Sequence, residues 1–142
     1  MTLRPEAVRE RLALVRGNLD TLSAAVALPR DRFVADRKEH WAAAYGLQST
    51  VQALLDAGAH VLSGRFKETP KDYGDIVPRL ASRGVLEAKL AERLAQVSGF
   101  RNVLVHEYAA VDFGLVHDKL QHLDDLRAFA AAIERWLVAQ GE

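Results

Sequence analysis

With 142 residues, 49% of them apolar and 27% charged, the chain is long enough to bury a real core in a single domain over residues 1–142. It contains no cysteine, which excludes disulfides, thiolate catalysis and cysteine-based zinc sites. Its 19 basic and 19 acidic residues cancel, so nucleic acid is not gripped over the whole surface, although a small cleft with local arginines stays open.

Helical spacing dominates from the start. Val8, Leu12, Val15, Leu19, Leu22 and Val26 recur at three and four residues and predict one helix with a buried stripe, stopping near Leu28-Pro29. Asp31 is the expected N-cap of a second helix that runs to about Leu62 through Leu47, Val51, Leu54 and Leu55, with Gly64 as its stop. Residues 65–84, punctuated by Pro70, Gly74, Pro78 and Gly84, read as a connection with a short helix from about Gly74 to Ser82. Leu86, Leu90, Leu94 and Val97 begin a third long helix, kinked near Gly99 and continuing to about Ala109. Asp112 is the expected cap of the last helix, packed through Leu115, Leu120, Leu123, Leu126, Phe129, Ile133 and Trp136 or Leu137. The fold class is therefore all-α, an antiparallel up-and-down bundle of about four to five helices. Charges interrupt every apolar segment, so no membrane span is expected. The start of the chain, Met1-Thr2-Leu3-Arg4-Pro5-Glu6, lacks the apolar run of a secretory signal, and the expected location is the cytoplasm.

The segment Arg101-Asn102-Val103-Leu104-Val105-His106-Glu107-Tyr108 concentrates polar chemistry. On a straight helix with Arg101 at zero, Asn102 lies near 100°, His106 near 140° and Tyr108 near 340°. Phe100, Val103 and Leu104 fall between roughly 200° and 300°, the core side. Arg101, Asn102 and His106 therefore face away from the core, with Arg101 and His106 too far apart around the axis for one compact site. Spacing alone permits a solvated helix face as readily as half of an active site. Gln48, Gln52, Asp56 and His60 form a second polar stripe, advancing about 40° per step. It reads either as a structural ladder of hydrogen bonds or as a stripe in which Asp56 and His60 line a cleft or a dimer seam. Two such side chains do not define a metal site.

Phe100-Arg101-Asn102-Val103-Leu104-Val105-His106-Glu107-Tyr108 resembles the Arg-x4-His-x-Tyr signature of the HepT-like proteins of the HEPN superfamily. Tyr73-Gly74-Asp75-Ile76-Val77-Pro78-Arg79-Leu80, Val85-Leu86 and Leu90-Ala91-Glu92-Arg93-Leu94 are similar to that family's approach to the motif. Leu47-Gln48, Gln52, Asp56 and His60 resemble its polar ladder, so the likeness spans roughly residues 40 to 138. Many members carry an acidic residue where Gln52 stands, and the chain departs from them there.

The resemblance implies a metal-independent endoribonuclease toxin, working without a cofactor as a homodimer in which two motifs close one composite cleft. It implies His106 as general base or acid, Arg101 as the phosphate-binding cation and Asn102 as an orienting group. It further implies that an MntA-type nucleotidyltransferase antitoxin transfers AMP to Tyr108 and so blocks RNA. The alternative within the same resemblance is a non-catalytic HEPN protein that binds nucleotide or scaffolds the transferase. His40, His117 and His122 read as surface residues; Trp41, Tyr45 and Trp136 read as packing residues. Arg79, Arg83 and Arg93 read as a solvated face.

Overall fold

The computed structural model describes residues 2–106 and 112–142, without the side chains of Val103, Val105 and His106. The described elements are α1 (Pro5–Val26), α2 (Arg30–Ala35), α3 (Arg37–Phe66), a single 3-10 turn (Tyr73–Asp75), α4 (Ile76–Ser82), α5 (Ala88–Arg93), α6 (Val97–His106), α7 (Phe113–Leu120) and α8 (Leu123–Ala139). No strand occurs among them, and the all-helical expectation holds. No helix among the described residues is long and apolar enough to cross a membrane.

Three long helices carry the core. The 30-residue α3 spans about 45 Å and is the spine against which α1, α4 and α6 pack. α1 runs antiparallel to it: Arg4 meets His60 near one end, and Asn18 meets Ser49 towards the other. α8 returns antiparallel to α1, with Arg9 paired to Glu134 and Arg127 bonded to Ser23. Val8, Leu12, Val15 and Leu19 from α1, Leu47, Leu54, Leu55 and Leu62 from α3, and Phe129 and Ile133 from α8 are buried. Burying side chains of this size contributes roughly 1.5–3 kcal/mol each before the entropy of ordering them is subtracted.

Several boundaries differ from the sequence reading, each for a local reason. The predicted second helix is broken at Asp36, whose backbone is extended and whose carboxylate accepts from the Lys38 and Glu39 amides. Asp36, not Asp31, is therefore the N-cap of α3. Gly64 does not stop that helix, which runs to Phe66 and closes on Lys67 in the left-handed region (φ 58°). Gly64 is buried inside α3, where the backbone of Leu3 crosses so closely that a Cβ would lie 2.7 Å from its Cα. The predicted kink at Gly99 lies earlier, at Leu94–Gln96, where the tight bonds Ala95 to Glu92 and Val97 to Leu94 separate α5 from α6. Asp112 caps as expected, bonding the Gly114 and Leu115 amides, but the last helix divides at Gln121–His122. That division resets the helical phase, leaving Leu115 42% exposed and Val116 buried in its place.

His60 is spent on this scaffold. Its Nε2 accepts the backbone N–H of Arg4, the N-cap of α1, which has no side-chain cap of its own. Burial, followed by the charges of Arg4 and Arg11, holds its pKa below the ordinary 6.5. A histidine kept neutral in the fold stabilises fully above about pH 6.5 and loses that contribution as pH falls through its folded value. The melting temperature should therefore drop between about pH 7.5 and pH 5, and His60→Gln, which accepts without titrating, should show a smaller drop by circular dichroism. An equal drop in both proteins would contradict this role. Gly64→Ala should destabilise the fold by about 1–3 kcal/mol in chemical denaturation, because the clash is with backbone.

Candidate active site

The polar stripe of α3 and the motif helix α6 meet at one point. Arg101 Nε donates to Gln52 Oε1 at 2.6 Å, and Arg101 Nη1 donates to Asn102 Oδ1 at 3.0 Å. The guanidinium carbon lies 4.4 Å from the centroid of the Tyr73 ring, a cation–π stack. Gln52 Nε2 in turn donates to Asp56 Oδ1 at 2.8 Å and to the Tyr73 hydroxyl at 3.1 Å. Five side chains thus form one connected cluster centred on Arg101, which is half-buried, while Asn102 beside it is exposed.

The local fold explains each placement. Phe100 and Leu104 turn inward, Leu104 to 2% exposure, and this sets Arg101 on the flank of α6 beside Gln52. Gln52 and Asp56 are one helical turn apart on α3, the spacing at which side chains on a helix meet. Tyr73 is held from the other side by the connection. Asp72 accepts the Asp75 amide, and the Asp75 carboxylate accepts both the Lys71 amide and Arg79 Nε. Those two bonds, the Lys71 amide first, hold the Asp75 carboxyl below its usual range. Arg79 and Arg83 converge on Glu68, whose pKa is also lowered, chiefly by the bond from Arg83. Such partly exposed ion pairs contribute little singly, but a network of them fixes the start of the 3-10 turn on which Tyr73 sits.

The sequence-predicted residues separate on this geometry. Arg101, Asn102, Gln52 and Asp56 come together, whereas His60 turns to α1 and Gln48, half-buried, lies a turn before Gln52. The side chain of His106, at the end of α6, and the whole of Tyr108 lie outside the described residues. Tyr73 is the site residue that sequence reasoning passed over. Its signals were its place in a segment with turn chemistry and in the stretch that resembles the family's approach to the motif, and neither speaks of a ring beneath an arginine.

One surface expectation and two packing expectations need correction. His117 is buried, with Nε2 donating to the Leu28 carbonyl at 2.7 Å and its ring against Phe33, because the short α2 folds back under α7. Trp41 and Tyr45 are not packing residues. They are 52% and 68% exposed, Trp41 under the Arg37 guanidinium and Tyr45 at the rim of a groove shared with α1. By helical arithmetic both lie on the same face as Gln48 and Gln52. Trp136 does pack, against Phe66, and Arg93 is paired with Asp125.

An arginine held on one edge and one face has a defined remaining edge. Among the described residues Nη2 and one Nη1 hydrogen point to no protein acceptor, and that fork fits two oxygens of a phosphate.

The chain as a whole has relatives among known proteins. A family model described as Ribonuclease HepT-like matches residues 16–133. A protein named tRNA nuclease HepT, from Aphanizomenon flos-aquae (strain 2012/KM1/D3), is 30% identical over 110 residues, covering 78% of this chain and 75% of the relative. A protein named mRNA nuclease HepT, from Shewanella oneidensis, is 27% identical over 89 residues, covering 62% of this chain and 67% of that one. Among solved structures, a tri-AMPylated Shewanella oneidensis HEPN toxin in complex with its MNT antitoxin superposes with a TM-score of 0.80. It is 22% identical, covers 91% of this chain and 97% of that one, and is a likeness of fold.

Proposed function

The chain belongs to the HepT-like ribonuclease family, and on that premise we propose that it is an RNA-cleaving toxin acting as a homodimer in the cytoplasm. The observation that carries this reading is the held guanidinium of Arg101, whose remaining donors meet no protein acceptor among the described residues. Both named relatives are nucleases of RNA, of different classes, so the substrate proposed here is RNA without a narrower choice.

The chemistry needs a base, an acid and a cation. One histidine takes the proton from a ribose 2′-hydroxyl, and that oxygen attacks the adjacent phosphorus. The bond from phosphorus to the 5′-oxygen breaks, and the leaving oxygen takes a proton from a second histidine. Arg101 binds the phosphate and stabilises charge on its non-bridging oxygens. This route supplies every proton and electron pair from RNA and protein, so it is metal-independent. His106 is assigned to base and acid, one from each protomer, because on one helix it stands about 140° from Arg101. A two-fold pair of motifs closes that gap. Trp41 and Tyr45, exposed on the face of α3 that leads to Gln52, supply apolar surface for the second copy.

Tyr108, in the same motif, is assigned as the acceptor of AMP from an MntA-type nucleotidyltransferase antitoxin. Its phenol oxygen would attack the α-phosphorus of ATP and expel pyrophosphate. The phosphodiester so formed would occupy Arg101 and exclude RNA phosphate by charge and bulk. The tri-AMPylated toxin among the structural relatives supports this assignment.

Purified protein should cleave RNA in the presence of EDTA, leaving 2′,3′-cyclic phosphate ends. His106→Ala should lower the rate roughly 100- to 10,000-fold. Loss of cleavage with EDTA alone would contradict the metal-free route. Binding to the transferase without any cleavage would favour a scaffold role instead. Cleavage by heterodimers of wild-type and His106→Ala chains should fall far below half the wild-type rate, because each protomer supplies one of the two histidines, and half the wild-type rate would contradict the composite cleft.

A further inference from the structure

Among the described residues Arg101 is held by three neutral groups, and the carboxylate of the cluster is kept one residue away. The carbonyl oxygens of Gln52 and Asn102 take two of its hydrogens, and the Tyr73 ring lies against its face. None of these brings a countercharge. Asp56 is bonded to the far side of the Gln52 carboxamide instead. The orientation of that amide is dictated by chemistry: only its oxygen can accept from a guanidinium, and only its nitrogen can donate to a carboxylate. Gln52 therefore transmits position from Asp56 to Arg101 without transmitting charge.

We propose that Gln52 and Tyr73 are positioning residues that fix the Arg101 guanidinium while leaving its charge unneutralised for an RNA phosphate, with Asp56 locking the Gln52 amide. This rests on the reading of Arg101 as the phosphate-binding residue. A carboxylate at position 52, such as many members of the family carry, would bring a countercharge into contact with the guanidinium, which the Gln52 amide of this chain does not. The stack on Tyr73 adds orientation at no cost in charge, since the ring face attracts a cation without neutralising it.

A charge relocation tests this. The double variant Gln52→Glu, Asp56→Asn keeps net charge and keeps a hydrogen bond between the two positions, now donated from position 56 instead of position 52, but moves the negative charge into contact with Arg101. The probe is a fluorescein-labelled oligodeoxynucleotide, which lacks the 2′-hydroxyl and cannot be cut. Its affinity should fall, and the slope of log Kd against log salt should shrink by about 0.7 for each Arg101 contact, the value for one phosphate on a single strand. Gln52→Leu should do the reverse: an unchanged salt slope, but a lower kcat on RNA with KM little altered, because the cation is present and misaligned. Tyr73→Phe should retain most of the kcat that Tyr73→Leu loses. An unchanged slope in the charge-relocated protein, or an unchanged kcat in Gln52→Leu, overturns the proposal. Arg101→Ala is the control that separates the two readings. If it too leaves the slope unchanged, the phosphate-binding role of Arg101 is wrong and the positioning role falls with it.

Discussion

The Gln52 carboxamide stands between a guanidinium and a carboxylate, and the rest of the site depends on which way it faces. Its oxygen takes Arg101 Nε at 2.6 Å while its nitrogen bonds both Asp56 and the Tyr73 hydroxyl. Neither neighbour tolerates the opposite orientation, so the side chain is locked without being fully buried. A flexible arginine on an open helix flank would lose much rotamer entropy on binding an anion. Here that loss has already occurred on folding, and the fork of remaining donors is presented in one geometry.

The scaffold serves this constraint from three directions. The long α3 carries Gln52 and Asp56 in line, with His60 one turn further on securing the start of α1. α6 brings Arg101 to the stripe because Phe100 and Leu104 must turn inward. The connection after α3 is stitched by Asp72, Asp75, Arg79, Arg83 and Glu68, so Tyr73 arrives at a fixed point rather than on a loose loop. Arginines that a sequence presents as spare cations are thus spoken for, and Arg101 is the one in this neighbourhood whose described partners are all neutral.

The long apolar stripes of α1 and α3 and the cap at Asp112 were legible because each depends on residues close in sequence. The break at Asp36 was less so, since Asp31 offers the same chemistry five residues earlier and only the extended backbone decides between them. Gly64 was misread for a reason that periodicity cannot supply: the crossing chain at Leu3 lies far away in sequence. The same holds at the site. The motif and the α3 stripe were each visible, but their meeting at Gln52 and Arg101, and the ring of Tyr73 beneath, are tertiary facts. Trp41 and Tyr45 show the converse, since aromatic residues at helical spacing look like core, yet both stay largely exposed in the fold.

The central claim is that Arg101 acts on RNA in a geometry set by Gln52, and a double-mutant cycle on cleavage tests it most directly. Rates would be measured for the wild type, Gln52→Leu, Arg101→Ala and the double variant under one saturating RNA concentration. If Gln52 works through Arg101, its replacement should cost nothing further once the arginine is gone. Fully additive losses in the double variant would show that the two residues act independently, and would contradict the account.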